Sequence, residues 1–369
     1  MVYGEAYVYQ VDDAGMPGDP VVFESAQPVP GDLFGHAVSV SQRAAWLAIS
    51  SPNREPPADD TGMLRGAVDI FRRTDMSENH WELDGTVFVP ATFGRGMFRL
   101  RVDISDRGLL AVGSSDEDKR GATLLFRRLD NGTWQQEADL RPPEDDTESK
   151  FGIYTVFADS ADEITISAPY FAREPNTKYG RLAPYRFDAA NAKWQARASR
   201  LDPAPSELAM FSWAMQSYAD RLMVGAPGAT VDGEVGGGRI YEFRYDPNAP
   251  SGWNPVGNVT SPVVSAKTAF GKRVAFYGDL MAASSLVGGL NDGNFTLISV
   301  FAQPTGGAWT PVASISGEQD GSVWLGRIAI GENFLALAAP NETIDGAEDA
   351  GAVFIFPKRL FQSAILGND

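Results

Sequence analysis

Short apolar runs alternate with polar turns along the whole chain, and no stretch keeps a 3.6-residue apolar period beyond a turn or two. The most apolar runs are WLAISSP at 46–52, LLAVGSSD at 109–116, EITISAPY at 163–170, RLMVGAPG at 221–228 and FLALAAPN at 334–341. They lack the in-and-out alternation of a half-buried strand, which predicts strands covered on both faces. A shorter run such as His36-Ala37-Val38-Ser39-Val40 precedes each of them. A polar loop follows, then a third run opened by glycine, as at Gly66, Gly121, Gly238 and Gly351. A fourth run begins at a tryptophan across a turn such as Asp130-Asn131-Gly132-Thr133, where Asn-Gly tolerates the positive φ of a tight hairpin.

These four runs recur with a period of about 59 residues. Phe34-Gly35, Phe93-Gly94, Phe151-Gly152, Phe211-Ser212, Phe270-Gly271 and Leu325-Gly326 head six units, spaced 59, 58, 60, 59 and 55. Trp81, Trp134, Trp194, Trp253 and Trp309 keep step at 53, 60, 59 and 56. A four-stranded sheet with two apolar faces cannot stand alone, but copies arranged around an axis bury one another. The expectation is therefore an all-β fold, a single β-propeller over 1–369 made of four-stranded antiparallel blades. Six blades are favoured. Gly4–Gln10 is a further third-run copy and Val21-Val22-Phe23 reads as a fourth run, so the strands within 4–24 are expected to close the ring. In the alternative, Arg359–Leu366 supplies the last strand of the sixth blade and the N-terminal hairpin belongs to a seventh.

Val224-Gly225-Ala226-Pro227 and Gly351-Ala352-Val353-Phe354-Ile355-Phe356, set after a Phe-Gly, resemble the FG-GAP repeat of integrin α-subunit propellers and bacterial surface proteins. The resemblance covers nearly the whole chain. It departs from the pattern at Phe211-Ser212 and at Ala282-Ala283-Ser284-Ser285. It implies an extracellular or cell-surface recognition or adhesion module that binds a protein or glycan ligand. It also implies calcium loops of the D-x-D-x-D-G kind between the first two strands of a blade, in which alternate carboxylates point inward. Only Asp103-Ile104-Ser105-Asp106-Arg107-Gly108 approaches that series, with few carboxylates and an intruding arginine. Asp103, Ser105 and Asp106 are thus the metal candidates, and the default expectation is a polar turn with no metal or other cofactor.

Charge narrows the partners. A net charge of −17 repels phosphate backbones and anionic membrane surfaces, which excludes nucleic acid as a main partner. There is no cysteine, hence no disulfide and no thiolate metal site. No apolar run is long enough for membrane insertion, and MVYGEAYVYQ lacks the blocks of a signal peptide. Acidic stretches at Asp59-Asp60, Asp116–Asp118, Glu144–Asp146 and Asp345–Asp349 read as solvated loops.

The positions immediately after each Phe-Gly hold His36, Arg95, Ile153, Trp213, Lys272 and Arg327. First strands are innermost in a propeller, so these residues are expected to form a basic and aromatic ring about the axis. Such a ring suits an acidic sugar or a carboxylate-bearing peptide; pairing with acids of the neighbouring blade is the structural alternative. The tryptophans that open fourth strands are expected to pack their rings while the N–H stays wet. His36 and His80 are the only histidines, and neither stands in a nucleophile motif. Recognition through loops or an axial pocket is the main expectation. A hydrolase or lyase acting on polysaccharide, and a structural part of a surface assembly, are the alternatives.

Overall fold

The computed structural model describes residues 4–56, 64–75, 79–93, 100–115, 120–143, 146, 148–158, 162–287, 295–304, 307–316, 327–340, 342–347 and 350–361. The fold is all-β, a six-bladed propeller of antiparallel sheets. An N-terminal hairpin, β1 (Glu5–Val11) and β2 (Pro17–Glu24), comes first. Blade one holds β3 (Val38–Val40), β4 (Trp46–Ser51), β5 (Leu64–Asp75) and β6 (His80–Pro90). Blade two holds β7 (Arg101–Ile104), β8 (Leu109–Ser114), β9 (Ala122–Arg128) and β10 (Trp134–Leu140). Blade three holds β11 (Thr155–Phe157), β12 (Glu163–Ala168), β13 (Arg181–Asp188), β14 (Lys193–Ala196) and the short β15 (Arg200–Leu201).

Blade four holds β16 (Ala214–Tyr218), β17 (Arg221–Ala226), β18 (Arg239–Tyr245) and β19 (Trp253–Thr260). Blade five holds β20 (Val274–Tyr277), β21 (Leu280–Val287), β22 (Phe295–Ala302) and β23 (Thr310–Ser316). Blade six has β24 (Ile328–Ile330), β25 (Phe334–Ala339) and β26 (Ala352–Pro357). Among the described strands, β1 and β2 hydrogen-bond only to each other. Residues 359–361 form a helical turn where the seven-blade alternative put a strand, and 362–366 lie outside the described residues.

The chain divides into two compact units. The first comprises Met1–Gln10, Asp19–Arg200 and Pro250–Gly252, and contains blades one to three. The second comprises Val11–Gly18, Leu201–Ala249 and Trp253–Asp369, and contains blades four to six.

In the first unit each second strand is buried along its length: β4, β8 and β12 have no exposed residue. Alternate residues serve opposite neighbours. Leu47 and Ile49 pack with Ala6 and Phe23 of the hairpin. Trp46 and Ala48, on the other face, pack with Leu110, Val112, Leu124 and Phe126 of blade two. The continuous apolar run is therefore two interfaces folded into one strand, and burying both is the main source of stability.

The glycines mark where the backbones of successive blades meet. Gly121 opens β9 at φ 93° and bridges Phe151 of the next blade, and Gly238 repeats this against Phe270. A Cβ at Gly113 would sit inside the van der Waals shell of the Gly152 carbonyl oxygen, so this face of blade two has no room for a side chain. The Phe-Gly and Gly-Ala-Pro segments thus face each other across a blade seam.

Polar groups tie the seams as well. Arg54 and Asp69 form a fully buried pair, with Nη1 to Oδ2 at 2.6 Å and Nη2 to Oδ1 at 2.5 Å. Asp69 also accepts from Thr86 Oγ1 at 2.6 Å and from the Ala26 N–H at 3.3 Å. Asp146, expected among solvated acids, is instead buried against Arg181. The tryptophans do open fourth strands, but several of their N–H groups are not wet. Trp134 donates to Asp84 of blade one at 2.8 Å, and Trp194 to Glu137 of blade two at 2.9 Å. In the second unit Trp309 donates to Glu242 of blade four at 2.9 Å.

Candidate active site

First strands are only three to five residues long. A tight turn through the Phe-Gly leads into β3, β11, β16 and β20. The residues expected to form a ring stand at these turns. His36 is half-buried, Ile153 is buried, and both belong to the first unit. Arg95 lies outside the described residues.

In the second unit β16, β20 and β24 are neighbours. Trp213 leads into β16, Lys272-Arg273 into β20 and Arg327 into β24, so the fold brings an aromatic ring and three cations to the start of three adjacent strands. Trp213 is half-buried; its backbone N–H donates to Met210 O at 3.0 Å and to Gly225 O at 3.2 Å. Ser212, which stands where the other five units have glycine, is held at φ 75°. Arg327 is exposed, and its carbonyl accepts the Ala338 N–H at 3.0 Å, which fixes the backbone beside β25.

Lys272 is the distinctive group. It is half-buried, and burial, followed by the charge of Arg273, holds its ammonium below the usual lysine range. Among the described residues no carboxylate lies within ion-pair distance of its Nζ. The backbone around it is well fastened: the Arg273 N–H donates to Ser284 Oγ at 3.0 Å, and the Ser284 N–H donates to Arg273 O at 3.1 Å. The same serine-to-backbone clasp recurs at Ser50 with Ala37 and at Ser167 with Tyr154. The sequence ring omitted Arg273, although Lys-Arg directly after Phe-Gly was the visible signal. Burial and the Arg273 charge favour the neutral form of this amine, and a neutral amine can accept a proton.

The metal candidates have protein partners. Asp103 Oδ1 accepts from Ser39 Oγ at 3.1 Å, and Asp106 accepts the Arg43 N–H at 3.0 and 3.1 Å. Ser105 Oγ accepts the N–H groups of Arg107 and Leu109. Asp103 and Asp106 tie the blade-two turn to that of blade one, while Ser105 fastens the blade-two turn to itself. Among the described residues no three His, Cys, Asp or Glu side chains are grouped to hold a metal ion. Asp59-Asp60, Asp116–Asp118, Glu144-Asp145 and Glu348-Asp349 lie outside the described residues, and Asp345 is exposed.

No protein-family profile matches this chain. No curated protein matches it in sequence. Solved structures share its fold. A protein from Lactobacillus plantarum is 12% identical over 88% of this chain and 82% of that one, with a TM-score of 0.52. The periplasmic gluconolactonase of Pseudomonas aeruginosa is 12% identical over 92% of this chain and 90% of that one, with a TM-score of 0.51. Likeness at this identity is one of fold. The expectation of a recognition or adhesion module is corrected by these findings: no FG-GAP family match accompanies the repeat, and one structural neighbour, the gluconolactonase, is an enzyme.

Proposed function

We propose that this chain is a hydrolase acting on a carbohydrate-derived lactone or ester. The observation that carries the reading is Lys272, half-buried with its pKa held down, between the aromatic ring of Trp213 and the guanidinium of Arg327 in strand order. The neutral amine accepts a proton from water as the water oxygen adds to the carbonyl carbon. Arg273 and Arg327 supply positive charge toward the resulting oxyanion. The carbon–oxygen bond to the leaving alkoxide then breaks, and the Lys272 ammonium returns the proton to that oxygen. The products are an alcohol and a carboxylic acid, which releases its proton to solvent; for a lactone they are one hydroxy acid. Trp213 offers an apolar surface to a sugar ring. The gluconolactonase of the same fold supports this substrate class.

The test is hydrolysis of glucono-1,5-lactone, followed by acid release in weak buffer. Lys272→Ala is expected to slow turnover by about 10²-fold or more, the usual contribution of a general base. Lys272→Arg, which keeps charge but does not deprotonate, is expected to be equally slow. In the native chain the rate rises with pH through a value below the ordinary lysine range, because the neutral amine is the active form. Unchanged turnover in Lys272→Ala removes the reading.

We further read the repeat as FG-GAP in type, on the strength of the seam between Gly113 and Gly152. An exported location accords with the periplasmic neighbour, and fractionation of intact cells tests it.

A further inference from the structure

The turn that carries Lys272 is gripped from two sides by one position of the repeat. Ser284 of blade five holds both chain neighbours of the lysine. Its carbonyl accepts the Gly271 N–H at 3.1 Å, its N–H donates to Arg273 O at 3.1 Å, and its Oγ accepts the Arg273 N–H at 3.0 Å. Gly225, paired with Ala214, stands at the equivalent position of blade four. Its carbonyl accepts the Trp213 backbone N–H at 3.2 Å, and a Cβ placed on it would fall 2.0 Å from Gly271 O. Gly225 thus touches the backbones of the Trp213 turn and the Lys272 turn, and no side chain fits between them. Gly271, at φ 83°, is enclosed on another side, where a Cβ would meet Ile240 Cγ1 at 2.8 Å.

The same frame is built in the first unit around a residue with no chemistry. The Ser167 carbonyl accepts the Gly152 N–H at 2.9 Å, its N–H donates to Tyr154 O at 2.9 Å, and its Oγ accepts the Tyr154 N–H at 2.8 Å. A Cβ on Gly113 would fall 2.2 Å from Gly152 O. At the centre of that frame is Ile153, apolar and buried. The frame is therefore a device of the repeat for fixing one residue at the head of a first strand. In blade five the residue so fixed is an amine.

We propose that Gly225 and Ser284 are positioning residues for the Lys272 amine, setting its place relative to the Trp213 ring. The inference rests on the reading of Lys272 as the proton acceptor. Cβ contacts below 3.0 Å are essentially never seen, so a Cβ at Gly225 moves the Gly271 carbonyl by about 1 Å. Misplacement on that scale costs about 10²-fold in rate. Removing Ser284 Oγ takes away one of the three hydrogen bonds, which is a milder change. The apolar surface offered to the sugar ring stays, so both losses fall on kcat more than on KM.

The test measures turnover of glucono-1,5-lactone and the unfolding midpoint for Gly225→Ala and Ser284→Ala. Gly113→Ala and Ser167→Ala are the matched changes around Ile153. Gly225→Ala is expected to lower kcat by about 10²-fold and Ser284→Ala by less, with KM little changed. The matched variants are expected to lose comparable stability and keep the native kcat. Native kcat in Gly225→Ala or Ser284→Ala removes that residue from the role, and an equal fall in its matched variant does the same. If Gly225→Ala does not fold, Ser284→Ala against Ser167→Ala decides. A second readout needs no turnover: modification of Lys272 by an amine-reactive reagent is followed against pH by peptide mass mapping. Its midpoint is expected to move toward the ordinary lysine range in both variants. An inactive native chain, or native turnover in Lys272→Ala, removes the hydrolase reading and leaves the decision to this titration. Unmoved midpoints then overturn the positioning role.

Discussion

Blades one and six carry nearly the same second strand, WLAISS and FLALAA, and meet opposite fates. Leu47 and Ile49 are matched by Leu335 and Leu337, and both pairs are buried against a preceding element. Trp46 and Ala48 are matched by Phe334 and Ala336; the first pair is buried by blade two, while the second stays half-exposed. An apolar run thus reports that a strand is able to serve two interfaces. Whether the second interface exists is decided by what the rest of the chain places there.

The largest effect that separates the two situations lies at one repeat position, occupied by Gly113 in blade two and Ala338 in blade six. Gly113→Val drives a side chain into the Gly152 carbonyl and is expected to cost more than about 3 kcal/mol. Ala338→Val, at a half-buried position, is expected to stay within about 0.5 kcal/mol of the native chain. Denaturant midpoints compare them, and equal losses erase the distinction. Next comes truncation. Trp46→Ala removes a buried ring and is expected to cost about 3–5 kcal/mol. Phe334→Ala, half-exposed, is expected to cost about 1–2 kcal/mol.

The smallest effect is a pH dependence of the blade one–two seam. Burial pushes the Asp84 carboxyl up, but hydrogen bonds from Arg128 and Trp134 outweigh it and leave the group below its usual range. A carboxylate depressed in the folded state contributes stability at pH above its unfolded value, about 3.9. That contribution disappears as pH falls through the lower folded value. Acid unfolding of Asp84→Asn is expected to be flatter than that of the native chain below about pH 4. Identical acid profiles dissociate Asp84 from the seam.

Much of the architecture was legible in the residues. The Phe-Gly and Trp series marked six units, and the glycines marked third strands, because turn chemistry and strand pattern are local. The candidate site was half legible. Phe-Gly followed by Lys272-Arg273 drew attention to that turn, but only packing showed a lysine with lowered pKa and the neighbouring strands that bring Trp213 and Arg327 to the same ends. Asp84, Glu137 and Glu242 gave no sign of receiving tryptophan N–H groups, since partners 50 to 67 residues away share no local pattern.

By itself the sequence determined strand positions, repeat phase and which side chains share a face, all consequences of a two-residue period and of positive-φ turns. Tertiary structure alone decided that β1 and β2 pair only with each other among the described strands, and that Asp146 is buried on Arg181. It also decided that Val353, on an apolar side of blade six, is 65% exposed. Burial of a face depends on atoms distant in the chain, and those contacts are set when the sheets pack together.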